Sequence, residues 1–316
     1  MRCPGVTTAA VAVALALSGN ALASQLVDRN ATGVKLEANT NGKALLVYRA
    51  HGASRHVLVW GAMNALFPST SEPQVKFKLD YSGGPNWQGF TNMCVPYDGP
   101  ALPDVVAACK LPDGSYWAAQ QWAQPLPDLG FTPWTAPQSA KWLEISHWQG
   151  PTPTLSAYTD WVWGGRFQEV FGVYTYAGKP VHGFGTTRYG APTDGYGRLI
   201  FLDTFDSPYG SGWRRENSFV PHNPTGVFCY GFYKFDPTKG GNRHPAGDTA
   251  ARGPGLGTRY RLIALGPGVE PNVATQIGGL HPYDPTNPAD VTYEQQQVSI
   301  LKTIGDKSCL AGHRLN

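Results

Sequence analysis

The sequence predicts a mostly β protein, an antiparallel sandwich or irregular barrel with one C-terminal helix, on three observations. Apolar residues recur at every second position through most of the chain, the period of a half-buried strand. Glycine (38) and proline (27) are abundant among 316 residues, while charged residues reach only 15%, against about a quarter in an average domain, which is a turn-rich profile. Short loops join the strand-like segments with hardly any helix between them, whereas parallel pairing needs long crossovers.

Taken in order, Val34 to Ala38 alternates apolar and polar residues, and Asn41-Gly42 is a hairpin turn signal. Strands over Lys43 to Ala50 and Arg55 to Ala62 complete an opening meander. Val75 to Tyr81 sets its apolar side chains on one face and its charges on the other. The turn Leu111-Pro112-Asp113-Gly114 joins Val105 to Lys110 with Ser115 to Ala123. Gln124 to Ala140 is rich in proline and is the candidate connection between an N-terminal β subregion, 24–123, and a C-terminal one, 141–316, integrated with it. Strands resume at Lys141 to Trp148, Thr154 to Trp163, Phe167 to Tyr176, Pro180 to Gly185 and Arg198 to Asp203. Asn217 to Phe232 reads as a pair folded at Asn223-Pro224-Thr225-Gly226, Asp236 to Gly257 as a long loop, and Thr258 to Leu265 as a further strand. The helix begins where Asn287 can cap and Pro288 takes the first position; Val291, Val298, Leu301 and Ile304 then recur at helical spacing before Gly305. No repeat of fixed period is present, which argues against a propeller or solenoid.

Residues 1–23 have the form of a secretory signal peptide: Arg2, an apolar run from Thr8 to Ser18, and the small-x-small triplet Ala21-Leu22-Ala23, with cleavage expected before Ser24. No later apolar stretch is long enough to span a bilayer, so the exported protein is expected to carry no membrane anchor. The net charge of +3 is small and the only adjacent basic pair is Arg214-Arg215, so nucleic acid is not an expected partner. Export places the cysteines in an oxidising compartment. Loss of Cys3 with the leader leaves Cys94, Cys109, Cys229 and Cys309, and four cysteines allow three pairings. The short loop between Cys94 and Cys109 and the near-terminal place of Cys309 lead us to expect Cys94–Cys109 and Cys229–Cys309. Metal-ligand spacing is absent, and neither a metal nor a cofactor is expected.

The segments Leu79 to Gly84, Cys94 to Pro100, Asp160 to Gly172, Gly210 to Phe219 and Phe228 to Phe232 resemble those of a group of bacterial secreted proteins of unknown function. The resemblance covers most of the exported chain and implies export and one integrated unit. It implies no activity, cofactor or catalytic residue.

Three constellations could carry chemistry. Cys229, with His222 and His182-Gly183, superficially resembles the exported L,D-transpeptidases, whose cysteine follows a Ser-His-Gly triplet; here Gly226-Val227-Phe228 precedes it. A thiolate nucleophile needs a free thiol, and the even cysteine count favours a disulfide. Asp203, Asp206, Arg214, Arg215 and Glu216 lack the dense alternation of a calcium loop and read as a salt-bridged turn. The third is an aromatic surface. On one strand Trp142, Glu144, Ser146 and Trp148 share a face opposite Leu143, Ile145 and His147, and pairing with the next strand would add Ser156, Tyr158 and Asp160. Rings beside carboxylates suit a sugar, whose apolar face stacks while its hydroxyls form hydrogen bonds; the bland alternative is tryptophans filling a core.

Two functional readings follow. The first is a secreted, disulfide-stapled module with no catalytic role, presenting Trp142, Trp148 and Tyr158 in an exposed groove to a polysaccharide or wall polymer, or serving structurally. The second is a secreted glycosidase using Glu144, Asp160 and Glu169 as acid and base, which requires two carboxyl groups about 5 to 9 Å apart across one cleft.

Overall fold

The protein is seen in a computed structural model that describes residues 25–63, 77–123, 140–161, 169–181, 185–186, 192–193, 200–207, 210–216, 226–231, 259–278 and 281–304. Two sandwiches stack on each other. The first is built from β1 (Gln25–Arg29), β2 (Thr32–Asn39), β3 (Lys43–Ala50), β4 (Ala53–Trp60), β5 (Lys78–Asp80), β6 (Val95–Pro96), β7 (Val105–Lys110), β8 (Tyr116–Ala123) and β9 (Lys141–Trp148). They form two antiparallel sheets in the orders β2-β3-β4-β5 and β1-β9-β8-β7-β6. Period-two patterning decides what each sheet buries. β3 turns Ala44, Leu46 and Tyr48 inward against Trp117 and Ala119 of β8 and Leu143 and Ile145 of β9, and each large apolar side chain so buried contributes about 1.5 to 3 kcal/mol.

The second sandwich uses β10 (Thr154–Asp160), β11 (Glu169–Tyr176), β12 (Lys179–Pro180), β13 (Gly185–Thr186), β14 (Pro192–Thr193), β15 (Ile200–Ser207), β16 (Gly210–Glu216), β17 (Val227–Gly231), β18 (Arg259–Ala264) and β19 (Val273–Ile277). One sheet runs β10-β11-β12 with β17 also on β11, the other β16-β15-β18-β19, and β13-β14 is a short ladder of its own. Val170, Tyr174 and Phe228 meet Leu202, Tyr260 and Leu262 in the second core. Helix α1 (Pro288–Ile304) lays Leu301 and Ile304 on Phe171 and Tyr158; the Ala289 N–H donates to Asn287 Oδ1 at 3.0 Å, the cap the sequence predicts. Trp122 and Trp142 contact Ile263, Leu265 and Ala274, which joins the two sandwiches.

The mostly β, antiparallel architecture and the C-terminal helix are as expected, with no closed barrel among the described residues. β9 and β10 do not pair: β9 lies between β1 and β8, and β10 lies against β11. Strands from both sides of the proline-rich connection, β8 and β9, are neighbours in one sheet. That connection itself and the leader lie outside the described residues, as does the long loop at 236–257. β16 and β19 are strands that the alternation did not reveal.

Cys94 and Cys109 form a disulfide, 15 residues apart, that ties β7 to the segment before β6. Of the expected Cys229–Cys309 pair, Cys309 and the Cys229 side chain lie outside the described residues. In the chain-entropy account a loop of this length contributes about 3 kcal/mol. Non-reducing peptide mapping is expected to recover the Cys94–Cys109 peptide, and Cys94→Ser with Cys109→Ser to lower the unfolding free energy by roughly that amount.

Candidate functional site

The two faces of β9 separate as the parity predicts. Leu143 and Ile145 enter the first core, His147 stacks on Trp117 with ring centroids 3.8 Å apart, and Trp142 faces the other way. The exposed groove expected on that second face does not form. Trp148 is 0% exposed and Glu144 1%, and Tyr158 sits in another sheet, tilted against Phe171 at 5.4 Å under α1. What covers the face is the connection between β18 and β19, residues 265–272, every one of which is buried.

This buried loop is held by side chains that the strands aim at it. Asn272 Nδ2 donates to Glu144 Oε2 at 2.6 Å, and the Asn272 N–H donates to Gln120 Oε1 at 2.9 Å, while Gln120 Nε2 returns a bond to Asn272 O at 3.0 Å. The His147 N–H donates to Val269 O at 3.0 Å, continuing the edge of β9 beyond the end of β1. Tyr174 OH donates to Leu265 O. Within the loop the Gly266 N–H donates to Asn272 Oδ1 at 3.0 Å; a Cβ on Gly266 would lie 2.2 Å from Glu270 O, so only glycine permits this closure.

Two buried ionisable groups have shifted acidity here, Glu270 within the loop and His147 beside it. Glu270 accepts from Tyr176 OH at 2.8 Å through Oε1, while its Oε2 is buried without a partner among the described residues. Burial, only partly offset by the Tyr176 bond, pushes its carboxyl from 4.5 up to about 8. His147 Nδ1 donates to Ala62 O at 2.7 Å, and burial lowers the ring from 6.5 to about 4 against the opposing pull of that bond and of Asp113. The Glu270 contribution to stability is complete below pH 4.5 and is lost as pH rises through about 8. The His147 contribution is complete above pH 6.5 and is lost as pH falls through about 4.

The remaining residues expected at sites are dispersed. Asp160 and Glu169 are register partners on β10 and β11, in a different sheet from Glu144. His182, Gly183 and His222 lie outside the described residues. Asp203 accepts from Arg261 Nε at 3.0 Å and Nη2 at 2.7 Å, and Asp206 Oδ1 accepts from the Gly212 N–H at 3.1 Å, so these two carboxylates hold a strand pair and a turn.

An open cleft of about 370 Å³ lies at the end of the first sandwich, between the β2–β3 turn, the end of β4 and the β7–β8 turn; Lys43, Trp60, Met63, Asp113 and His147 are among its lining residues. Trp60 stands on the outer face of β4 with Lys43 and Lys78 as its cross-strand partners. Burial works to raise the Asp113 carboxyl, but the hydrogen bonds it accepts from Ser115 N–H and Oγ outweigh it and hold the group below its ordinary value. With Nδ1 committed to Ala62 O, the neutral His147 ring has Nε2 left to offer as an acceptor. Sequence reasoning missed this cleft. The row Lys43, Trp60, Lys78 is assembled by cross-strand pairing of three strands, so no single stretch of the chain displays it.

The chain matches no family model, no curated protein and no solved structure. Among the described residues no helix is long and apolar enough to cross a membrane.

The thermal midpoint is expected to peak between pH 4.5 and 6.5 and to fall on either side. Glu270→Gln should flatten the alkaline limb in a series of melts across pH, since a neutral amide has no proton to lose. Trp148→Ala should lower unfolding stability by about 3 to 5 kcal/mol in denaturant titration, the cost of a buried indole.

Proposed function

We propose that this is a secreted, disulfide-stapled β module that binds a polysaccharide or wall polymer without cleaving it, and that the ligand lies on Trp60. The observation that carries this reading is the cleft in which an indole between two lysines meets Asp113 and His147. A sugar ring stacks its C–H face on Trp60, its hydroxyls donate to the Asp113 carboxylate and to His147 Nε2, and Lys43 donates to ring or hydroxyl oxygens. Export is supported by the form of residues 1–23 and by the Cys94–Cys109 bond.

Binding is favoured over hydrolysis by the distribution of carboxylates. The two-carboxyl geometry of a glycosidase needs partners across one cleft, and among the described residues Asp113 is the one acid that lines this one. Glu144 is held by Asn272 in the interior. The hydrolase reading rests on the register pairing of Asp160 with Glu169, and a search for reducing ends released from glycans, lost in Asp160→Asn with Glu169→Gln, is the measurement that would establish it.

Trp60→Ala is expected to weaken retention on the bound glycan by about 1 to 3 kcal/mol, roughly 5- to 150-fold, while the melting curve stays near that of the parent because the ring is only half-buried. A glycan array supplies the ligand, and affinity electrophoresis compares the variants. Unchanged retention in Trp60→Ala would remove the cleft from the site.

A further inference from the structure

Lys43, Trp60 and Lys78 form a row across three strands at the end of the β2-β3-β4-β5 sheet. Lys43 is the register partner of Trp60 and Trp60 of Lys78, so all three side chains leave the same face, each lysine stem one strand spacing, about 4.8 Å, to one side of the indole. Both lysines are exposed and Trp60 is half-buried between them. Neither has a carboxylate partner among the described residues. Asp80, two residues after Lys78, instead accepts from the Ser82 N–H at 2.9 Å and from Ser82 Oγ at 2.7 Å.

The segment after β5 borders this row. A Cβ on Gly83 would stand 2.8 Å from His56 Cβ, and one on Gly84 3.2 Å from Leu58 Cδ2. The Trp87 ring stacks on His56 at 3.6 Å, and the Met93 N–H donates to Ala38 O on β2 at 2.8 Å. Residues 83–93 therefore cross the outer face of the sheet as a strap from the β5 edge to the β2 edge, over the rows of His56 and Leu58. Leu45, the register partner of Leu58, is accordingly 2% exposed, while the next row along, Lys43, Trp60 and Lys78, keeps both its lysines exposed. The opposing wall of the cleft is the β7–β8 turn with Asp113.

With Trp60 read as the place where a sugar stacks, on which this inference rests, we propose that the polymer bound there is an acidic polysaccharide whose chain lies along the row, across the strands. Lys43 and Lys78 each take an anionic group from a sugar on one side of the stacked ring. Charge complementarity selects this occupant: two cations without acids of their own flank the apolar ring, and the one acid among the described lining residues stands on the opposite wall. Asp113 repels anionic groups from that wall and leaves it to hydroxyl donors. An ammonium on a flexible stem acts as a point charge toward carboxylate and phosphate alike, so the shared chemistry is an anionic substituent on a sugar chain.

Affinity electrophoresis of the full exported chain at low ionic strength, where exposed charges are least screened, tests this with matched pairs: polygalacturonate against its methyl ester, and a phosphomannan against the same mannan after removal of phosphate. Stronger retention by the acidic member of at least one pair is expected; a preference in the first pair alone assigns carboxylate, in the second alone phosphate. Lys43→Gln and Lys78→Gln should each lower the acidic-to-neutral retention ratio about three- to fivefold, the upper worth of an exposed charge pair. Lys35→Gln removes the same charge from the same face, in the row of Val47 and His56, and should leave the ratio unchanged. Melting curves superimposable on the parent will show that these exposed substitutions leave the fold intact. Equal retention, or none, by both members of both pairs overturns the proposal, as does a ratio in Lys43→Gln and Lys78→Gln equal to that of the parent or lowered no more than in Lys35→Gln. Trp60-dependent retention on a neutral glycan would in that event leave the Trp60 reading standing, whereas retention on every polymer unchanged in Trp60→Ala removes both.

Discussion

A connecting loop taken out of water must find a partner for each backbone N–H and C=O it carries, which is why loops ordinarily run over the surface. Residues 265–272 are an exception, buried throughout, and they are held by side chains and backbone from two sheets and from the loop itself: Gln120, Glu144 and His147 from the first sandwich, Tyr174 and Tyr176 from the second, and Asn272 from the loop. A Glu144 side chain at the centre of an eight-residue strand would be costly if it faced only apolar neighbours; the Asn272 amide makes it an acceptor in a network.

The same insertion decides where a ligand can approach. The sheet that contains β9 is covered on one side by the β2-β3-β4-β5 sheet and on the other by the 265–272 loop and β18. Both faces of β9 are therefore closed to a ligand, and the Trp60 cleft opens at the end of the first sandwich. His147 connects interior and rim: its N–H belongs to Val269 O, its Nδ1 to Ala62 O, and its ring lines the Trp60 cleft. A substitution in the loop would thus be transmitted to the cleft through one side chain.

Charge follows a related logic. In a chain with few charged residues, carboxylates near the interior are matched individually, Asp203 with Arg261 and Asp28 with His51, and Asp98 pairs with Lys110 on the surface. Cations at the end of the first sandwich, Lys43 and Lys78 beside Trp60, are grouped by sheet pairing rather than by neighbours in the chain. A scan for runs of basic residues passes over them because neither has a lysine or arginine beside it in the chain.

The sequence by itself determined the local features. Alternation placed β2, β3, β7, β8 and β9, the residues Asn287 and Pro288 started the helix, the loop length led to Cys94–Cys109, and parity separated Trp142, Glu144, Ser146 and Trp148 from Leu143, Ile145 and His147. Each of these depends on side-chain direction and turn chemistry within a few residues, which the order of residues specifies directly. Only the tertiary structure decided which faces remain in contact with solvent. The face bearing Trp142 and Trp148 reads the same whether it meets water or another layer, and the segment that covers it arrives from more than a hundred residues later in the chain. β9 likewise paired with β1 and β8 rather than with the strand that follows it, because pairing is chosen by the cores that two sheets can bury together, and no stretch of sequence states which distant strand will supply the other half.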